Sequence, residues 1–133
     1  MFEKIKQKGH SVGNHTYNHK NGWKNENTEY FQDVEKANAI INSDLFRPPH
    51  GRLKPSQIKY LKKKYKIVMW DVLSGDFDLS TPKEKCYDNV VKNVEQGSII
   101  VFHDSLKAKD KVLDVLSGVL EELNTMGYVF EGL

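Results

Sequence analysis

Ser98-Ile99-Ile100-Val101-Phe102-His103-Asp104 contains the most strand-like run of the chain. Its run of apolar, largely β-branched residues predicts a strand that is buried on both faces, as in a parallel sheet. The preceding segment, from Thr81 to about Gln96, has the pattern of a helix and is ended by Gly97. A helix that leads directly into a buried strand is typical of a parallel β/α unit.

The rest of the chain repeats this alternation of short apolar runs and longer amphipathic segments. We predict further helices at residues 1–8, 28–41, 55–65 and 110–126, and further strands at residues 10–15, 45–47, 67–70 and 128–130. This pattern predicts the α/β class with parallel strands, and 133 residues correspond to one domain. In such folds, catalytic groups gather at the carboxyl ends of the strands.

Composition argues against several classes of protein. Lys and Arg number 20 against 18 Asp and Glu, and the basic run Lys59–Lys66 has apolar residues at helical spacing, so we expect a solvated helix face and no nucleic-acid partner. Cys86 is the single cysteine, which excludes an intrachain disulfide and favours plain packing. We find neither an apolar stretch of membrane-spanning length nor an export signal at residues 1–8.

His15-Thr16-Tyr17-Asn18-His19 places two imidazoles four residues apart, just after a predicted strand. Two such nitrogen donors can bind one divalent ion and leave room for a carboxylate and water. Two surface histidines in a loop would show the same spacing, so this motif alone is a weak signal.

Arg47-Pro48-Pro49-His50-Gly51 combines a cation, two residues of fixed φ and a glycine. This combination is typical of a rigid loop that holds a side chain and backbone amides in place. Taken alone, a plain turn with a surface arginine explains it better.

Polar and aromatic residues also follow the next two strands. Residues 70–78 contain three carboxylates with Trp70 and Phe77, whose rings suit the C–H face of a sugar, although acidic residues at this place also cap helices. His103 directly follows the most apolar strand, where partial burial suits acid–base chemistry. A lone histidine is more often structural, but this one ends a central strand.

In this order, the four clusters resemble the motifs of the polysaccharide deacetylases, carbohydrate esterase family four, also called the NodB-like domain. Gly9–His19 is similar to the G-H-x-x-G-N-H lead-in and the H-[ST]-x-x-H metal motif, and Arg47–Gly51 is similar to R-P-P-x-G. Asp76-Phe77 resembles the D-W end of the next motif, and Ile100–Asp104 the closing I-x-x-H-D motif. The resemblance covers nearly the whole chain.

The resemblance implies a distorted (β/α) barrel, with residues 1–133 forming the C-terminal part of one such domain. It implies a divalent metal, most commonly zinc, bound by His15 and His19 with an aspartate as the third ligand. Arg47 would hold the aspartate that acts as base, and His103 would protonate the leaving amine.

The resemblance also implies a substrate site. The backbone N–H of His50 would meet the oxyanion together with the metal, and Trp70, Phe77 and Ile100 would line the acetyl pocket. We place Asp76 with them as a substrate-binding residue.

Two departures from the family pattern matter. Both of its catalytic aspartates belong to a T-F-D-D motif that does not occur here, so we expect an incomplete barrel that lacks about two β/α units. Leu73 stands where the family often has the aspartate that tunes the catalytic histidine, and either Asp71 or Asp76 would have to replace it.

The leading hypothesis is a metal-dependent hydrolase that removes acetyl groups from a carbohydrate polymer, N-acetylglucosamine of peptidoglycan or chitin, and that is truncated here. The alternatives are a non-catalytic carbohydrate-binding protein and a degenerate remnant without function. The residues do not distinguish N-acetyl from O-acetyl substrates. For a full-length parent we expect an extracytoplasmic or cell-envelope location.

Overall fold

The computed structural model describes residues 2–133 as helices joined to very short strands. The α-helices are α1 Phe2–Gln7, α2 Asn27–Ile41, α3 Pro55–Leu61, α4 Lys83–Val91 and α5 Lys109–Thr125. The strands are β1 Leu45–Phe46, β2 Lys66–Ile67, β3 Val72–Leu73 and β4 Ile100–Val101. The chain divides into two compact units, which we call the first unit (up to Met69, with Gly132–Leu133) and the second unit (Trp70–Glu131).

The first unit is built on a β1-α3-β2 crossover. β1 and β2 pair in parallel, with Leu45 opposite Lys66 and Phe46 opposite Ile67. Pro55 opens α3, where its missing N–H costs no helical hydrogen bond. The core beneath the two strands consists of Tyr30, Val34, Phe46, Leu61 and Tyr65.

Helix α2 supplies one side of that core because its apolar residues recur at helical spacing. Tyr30, Val34 and Ala37 are all buried, and burying a side chain the size of Val34 contributes about 1.5–3 kcal/mol. The helix ends at Asn42, which takes the left-handed conformation at φ 49°.

The second unit repeats the crossover as β3-α4-β4. β3 and β4 are parallel, with Leu73 opposite Val101, and α5 packs against α4. The core between them consists of Val72, Cys86, Val90, Val115, Val119 and Leu123. Cys86 is fully buried and burial raises the pKa of its thiol, which confirms the predicted packing role.

Several predicted strands are corrected by the structure. Residues 10–15 form only an isolated parallel bridge from Asn14 to Phe46, and residues 128–130 form no strand. Pairing of the segment 67–70 ends at Ile67, while β3 lies in a segment that we interpreted as an acidic loop. An apolar run forms a strand only where a neighbouring strand completes its hydrogen bonds, and the sequence does not show where neighbours end.

Helix boundaries need smaller corrections. α2 begins at Asn27, just before the predicted start at residue 28, and α4 and α3 end several residues earlier than the periodicity predicts. Boundaries are less certain than the helices themselves, because terminal turns have few partners. Within residues 2–133, no helix combines the length and the apolar character needed to cross a bilayer.

Candidate functional site

The two histidines of the H-x-x-x-H motif lie on a loop that starts at the bridge between Asn14 and Phe46. Backbone hydrogen bonds on both sides of Asn14, to Leu45 (2.8 Å) and from Arg47 (2.9 Å), hold the start of the loop against β1. The loop then turns so that the rings of His15 and His19 meet edge to face, with 5.0 Å between their centroids. The motif therefore brings the two predicted metal ligands together.

His15 is held in one tautomer. Its Nδ1 lies 2.6 Å from the carbonyl oxygen of Arg47, and because a carbonyl only accepts, Nδ1 carries the proton and Nε2 has the lone pair. Burial lowers the pKa of His15 and outweighs the opposing effect of this hydrogen bond. A neutral imidazole with an oriented lone pair is the form that binds a metal ion.

The R-P-P-H-G loop adds a third imidazole. Pro48 and Pro49 are buried, and His50 has φ 57°, in the left-handed region that non-glycine residues rarely adopt. The ring of His50 lies 4.8 Å from that of His19, measured between centroids. We predicted a role only for the backbone of His50, and the sequence carries no signal that its ring would join the pair.

Arg47 anchors the same loop to the end of β2. Its Nε donates to the carbonyl of Val68 at 3.3 Å, and its Nη2 donates to that of Met69 at 3.4 Å. Burial lowers the pKa of Arg47, but guanidinium remains charged at any physiological pH. Its predicted contact with a base aspartate stays a prediction.

Two buried polar residues position the histidine loop, and the sequence analysis missed both. Asp33 of α2 accepts hydrogen bonds from the backbone N–H of Asn18 (2.8 Å) and from its side chain (2.5 Å). Asn14 accepts from the backbone N–H of Thr16 and donates to the carbonyl of Val34, both at 2.9 Å. A carboxylate beside the apolar stripe of α2 was the available signal for Asp33, since such a group must find partners when it is buried.

The second unit holds the other cluster, at the ends of β3 and β4. Asp76 is 0% exposed, and its carboxylate accepts from the backbone N–H of His103 (2.6 Å) and from the hydroxyl of Ser74 (2.8 Å). The Nδ1 of His103 donates to the same carboxylate at 2.7 Å. The ring is thus fixed in orientation and tautomer, with Nε2 as its reactive atom.

This geometry distinguishes the two aspartates of the acidic segment. Asp76 is buried and engaged by His103 and Ser74, so it fixes the orientation of the histidine, and its predicted contact with the substrate stays a prediction. Asp71 lies at the start of β3 and accepts from the hydroxyl of Ser98, the main reason for its lowered pKa, and from the N–H of Ile99. Of the two candidate replacements for the missing aspartate, Asp76 therefore holds His103.

The three apolar residues predicted to contact the substrate, Phe77, Ile100 and Trp70, lie in different surroundings. The ring of Phe77 meets that of His103 edge to face at 4.9 Å between centroids, and it is exposed. Ile100 is partly buried against the core of the second unit, and Trp70 is also partly buried. Substrate contact by Phe77, Ile100, Trp70 and His50 remains a prediction.

The donor chemistry of the first unit fits two ligands of a divalent ion. His15 and His19 are adjacent imidazoles, and the tautomer of His15 leaves a nitrogen for the ion. Within residues 2–133, no group of three or more histidine, cysteine, aspartate or glutamate side chains is arranged to hold a metal. The described residues thus offer two candidate ligands for a metal ion.

Comparison with known proteins identifies relatives of the whole chain. The profile of the polysaccharide deacetylase family matches residues 1–69, about half of the sequence. A peptidoglycan-N-acetylglucosamine deacetylase of Bacillus cereus is 28% identical over 98% of this chain and 64% of its own length. A peptidoglycan-N-acetylmuramic acid deacetylase of Bacillus subtilis is 24% identical over 100% of this chain and 53% of its own length.

The solved structure of a peptidoglycan N-acetylglucosamine deacetylase has the same fold. It superposes with a TM-score of 0.92 at 29% identity and covers 99% of this chain and 65% of the other. This confirms the predicted α/β fold of the deacetylase type. The chain spans between about half and two thirds of the length of these relatives.

Proposed function

Because this chain belongs to the polysaccharide deacetylase family, we propose that it is a metal-dependent hydrolase that removes acetyl groups from an amino-sugar polymer. The names of its relatives favour N-acetylglucosamine of peptidoglycan as the substrate, with chitin second. Such a substrate lies in the cell envelope, so we propose that the full-length protein works outside the cytoplasm.

The observation that carries this proposal is the pairing of Asp76 with His103. A buried carboxylate that fixes the Nδ1 proton of a half-exposed imidazole leaves Nε2 to exchange a proton with a substrate. In the proposed reaction, the Nε2 of His103 delivers a proton to the nitrogen of the leaving amino sugar. Ser74 supports this arrangement through its hydrogen bond to Asp76.

The proposed ion is zinc, held by His15 and His19. When bound, it would polarise the attacking water and the acetyl carbonyl. The carbonyl of Arg47 orients His15 for this task, and Asp33 and Asn14 hold the loop that carries both rings. The N–H of His50 is the proposed donor to the oxyanion.

The remaining proposed roles concern the substrate. Arg47 would orient the carboxylate that activates water, and Trp70, Phe77 and Ile100 would surround the acetyl methyl group. Phe77 is the best supported of these, because its ring touches His103.

Acetate release tests the proposal. Three proteins are incubated with zinc and either chitotetraose or peptidoglycan fragments: wild type, His103→Ala and the control His10→Ala. The control changes an exposed histidine that lies outside both clusters. We expect His103→Ala to lower the rate by about 10²–10⁴-fold and His10→Ala to keep the wild-type rate. Equal rates for wild type and His103→Ala would exclude catalysis by this chain.

A second candidate function is carbohydrate binding without catalysis. It is favoured by the finding that residues 2–133 supply two convergent histidines and no complete group of three metal-binding side chains. Calorimetry on the same saccharides measures binding. Binding by the wild type without acetate release above background would establish this alternative.

A further inference from the structure

The exposed indole of Trp23 links the segment that follows the histidine loop to the segment that follows the R-P-P-H-G loop. Trp23 follows His19 by four residues, and its indole N–H donates to the carbonyl of Leu53, three residues after His50, at 3.0 Å. The residue is 55% exposed, although large aromatic side chains are usually well covered. An exposed aromatic ring a few residues after a candidate metal-binding loop is suited to bind a ligand.

The ring is held in place before any ligand arrives. The side chain of Asn21 accepts from the backbone N–H of Trp23 at 3.0 Å. The preceding residue, Gly22, accepts from the buried side chain of Gln57 at 3.0 Å, and a Cβ at Gly22 would lie only 2.4 Å from the carbonyl oxygen of Arg52. Because the ring is already ordered, binding would cost little conformational entropy.

A cation completes this surface. The guanidinium of Arg52 lies over the indole of Trp23, with its Cζ 4.5 Å from the ring centroid. Arg52 is exposed, and no carboxylate of residues 2–133 forms an ion pair with it. Its planar fork of N–H donors matches the two oxygens of a carboxylate.

We propose that Trp23 and Arg52 form a carbohydrate subsite that selects an acidic amino-sugar polymer. The indole stacks on the C–H face of one pyranose ring, and the guanidinium binds a carboxylate carried by the neighbouring sugar. Where the stem peptide has been removed, peptidoglycan bears a free carboxylate on every second sugar, whereas chitin bears none. The inference rests on the proposed function and narrows its substrate to the acidic polymer.

Binding measurements with two matched tetrasaccharides test this subsite. One is a peptide-free peptidoglycan tetrasaccharide with its two carboxylates, and the other is chitotetraose. The Kd of each saccharide is measured by calorimetry with zinc present. We expect Trp23→Ala to raise Kd for both about tenfold. We expect Arg52→Gln to raise Kd about tenfold for the peptidoglycan fragment alone, and the control Lys59→Gln, an exposed cation of α3, to change neither.

Three outcomes would overturn the inference. The wild type binds neither saccharide, or Trp23→Ala binds both saccharides as tightly as the wild type, or Arg52→Gln raises Kd for both saccharides by the same factor. Melting curves identify a variant that fails to fold. If Trp23→Ala is such a variant, Arg52→Gln decides alone, because this exposed side chain can be shortened without opening the core. Acetate release by wild type is measured in parallel, so that failed catalysis with intact, selective binding counts against the proposed function only.

Discussion

The two units hold their histidines in opposite ways. In the first unit, the loops take left-handed backbone conformations at Thr16, His19 and His50, and the fold holds His15 through a backbone carbonyl. In the second unit, His103 follows a regular strand and is held by one buried carboxylate. The difference suits the two proposed tasks: a pair of rings that binds an ion needs both lone pairs aimed at one point, whereas a ring that transfers a proton needs only its own orientation fixed.

The largest effect should come from removing one ring of the first unit. His15→Ala deletes a proposed zinc ligand, so we expect Kd for zinc to rise by at least about 100-fold and acetate release to fall to background. Calorimetric zinc titration measures the first effect. His103→Ala is the matched control, since it changes a histidine of the second unit and should bind zinc as wild type does. Equal zinc affinity of His15→Ala and wild type would break the comparison.

A smaller effect is expected from Asp76→Asn. The asparagine has the size of aspartate, but its single oxygen cannot accept all the hydrogen bonds that the carboxylate accepts from Ser74 and His103. The Nδ1 of His103 loses its fixed acceptor, so acetate release should fall by about 100-fold while Kd for zinc stays unchanged. Nitrogen NMR of the histidine ring should show a changed tautomer, which a merely structural loss would not produce. A parallel loss of zinc affinity would show that the two clusters do not have separate tasks.

Asp33→Asn should have a moderate effect on the first unit only. An asparagine can accept from Asn18 through one oxygen alone, so the histidine loop loosens and Kd for zinc should rise by about tenfold. The control is Asp44→Asn, which changes an exposed carboxylate near β1. Unchanged zinc affinity in a folded Asp33→Asn variant would show that Asp33 does not position the ligands.

The smallest effect is on acid stability. Burial of Asp33 raises its pKa, but the hydrogen bonds from Asn18, together with the backbone N–H of Tyr17 and the charge of Lys20, outweigh this and leave the pKa below the ordinary value. A depressed pKa contributes stability above the unfolded value of about 4, and this contribution is lost as the pH falls through the folded value. Urea unfolding between pH 5 and 2 should therefore show a shallower loss of stability in Asp33→Asn than in wild type. Parallel curves would contradict this role.

The sequence predicted the elements that local patterns determine. The apolar stripe of Phe31, Val34, Ala37, Ile40 and Ile41 predicted α2, and the apolar run around Ile100 predicted β4. The lengths of the strands could not be predicted, because pairing ends where a neighbouring strand ends. Val129, for example, lies in an apolar run that was predicted as a strand, but it is unpaired and 82% exposed.

For the candidate site, residue types were predictable and partners were not. His15, His19 and His103 are recognisable by motif, but the choice of Asp76 over Asp71 depends on the register that sets Leu73 opposite Val101. This register places Asp71 before the paired residues and Asp76 after them, next to His103. Asp33 could not be assigned to the histidine loop, since its partner Asn18 lies 15 residues earlier in the chain.

The close approach at Gly22 makes the two loops of the first unit inseparable in protein engineering. Its carbonyl binds Gln57, and no side chain fits between it and Arg52, so neither loop can change length without displacing the other. A histidine loop grafted onto another scaffold would consequently have to be grafted together with the R-P-P-H-G loop and the first turn of α3. Natural insertions in one loop should likewise occur together with compensating changes in the other.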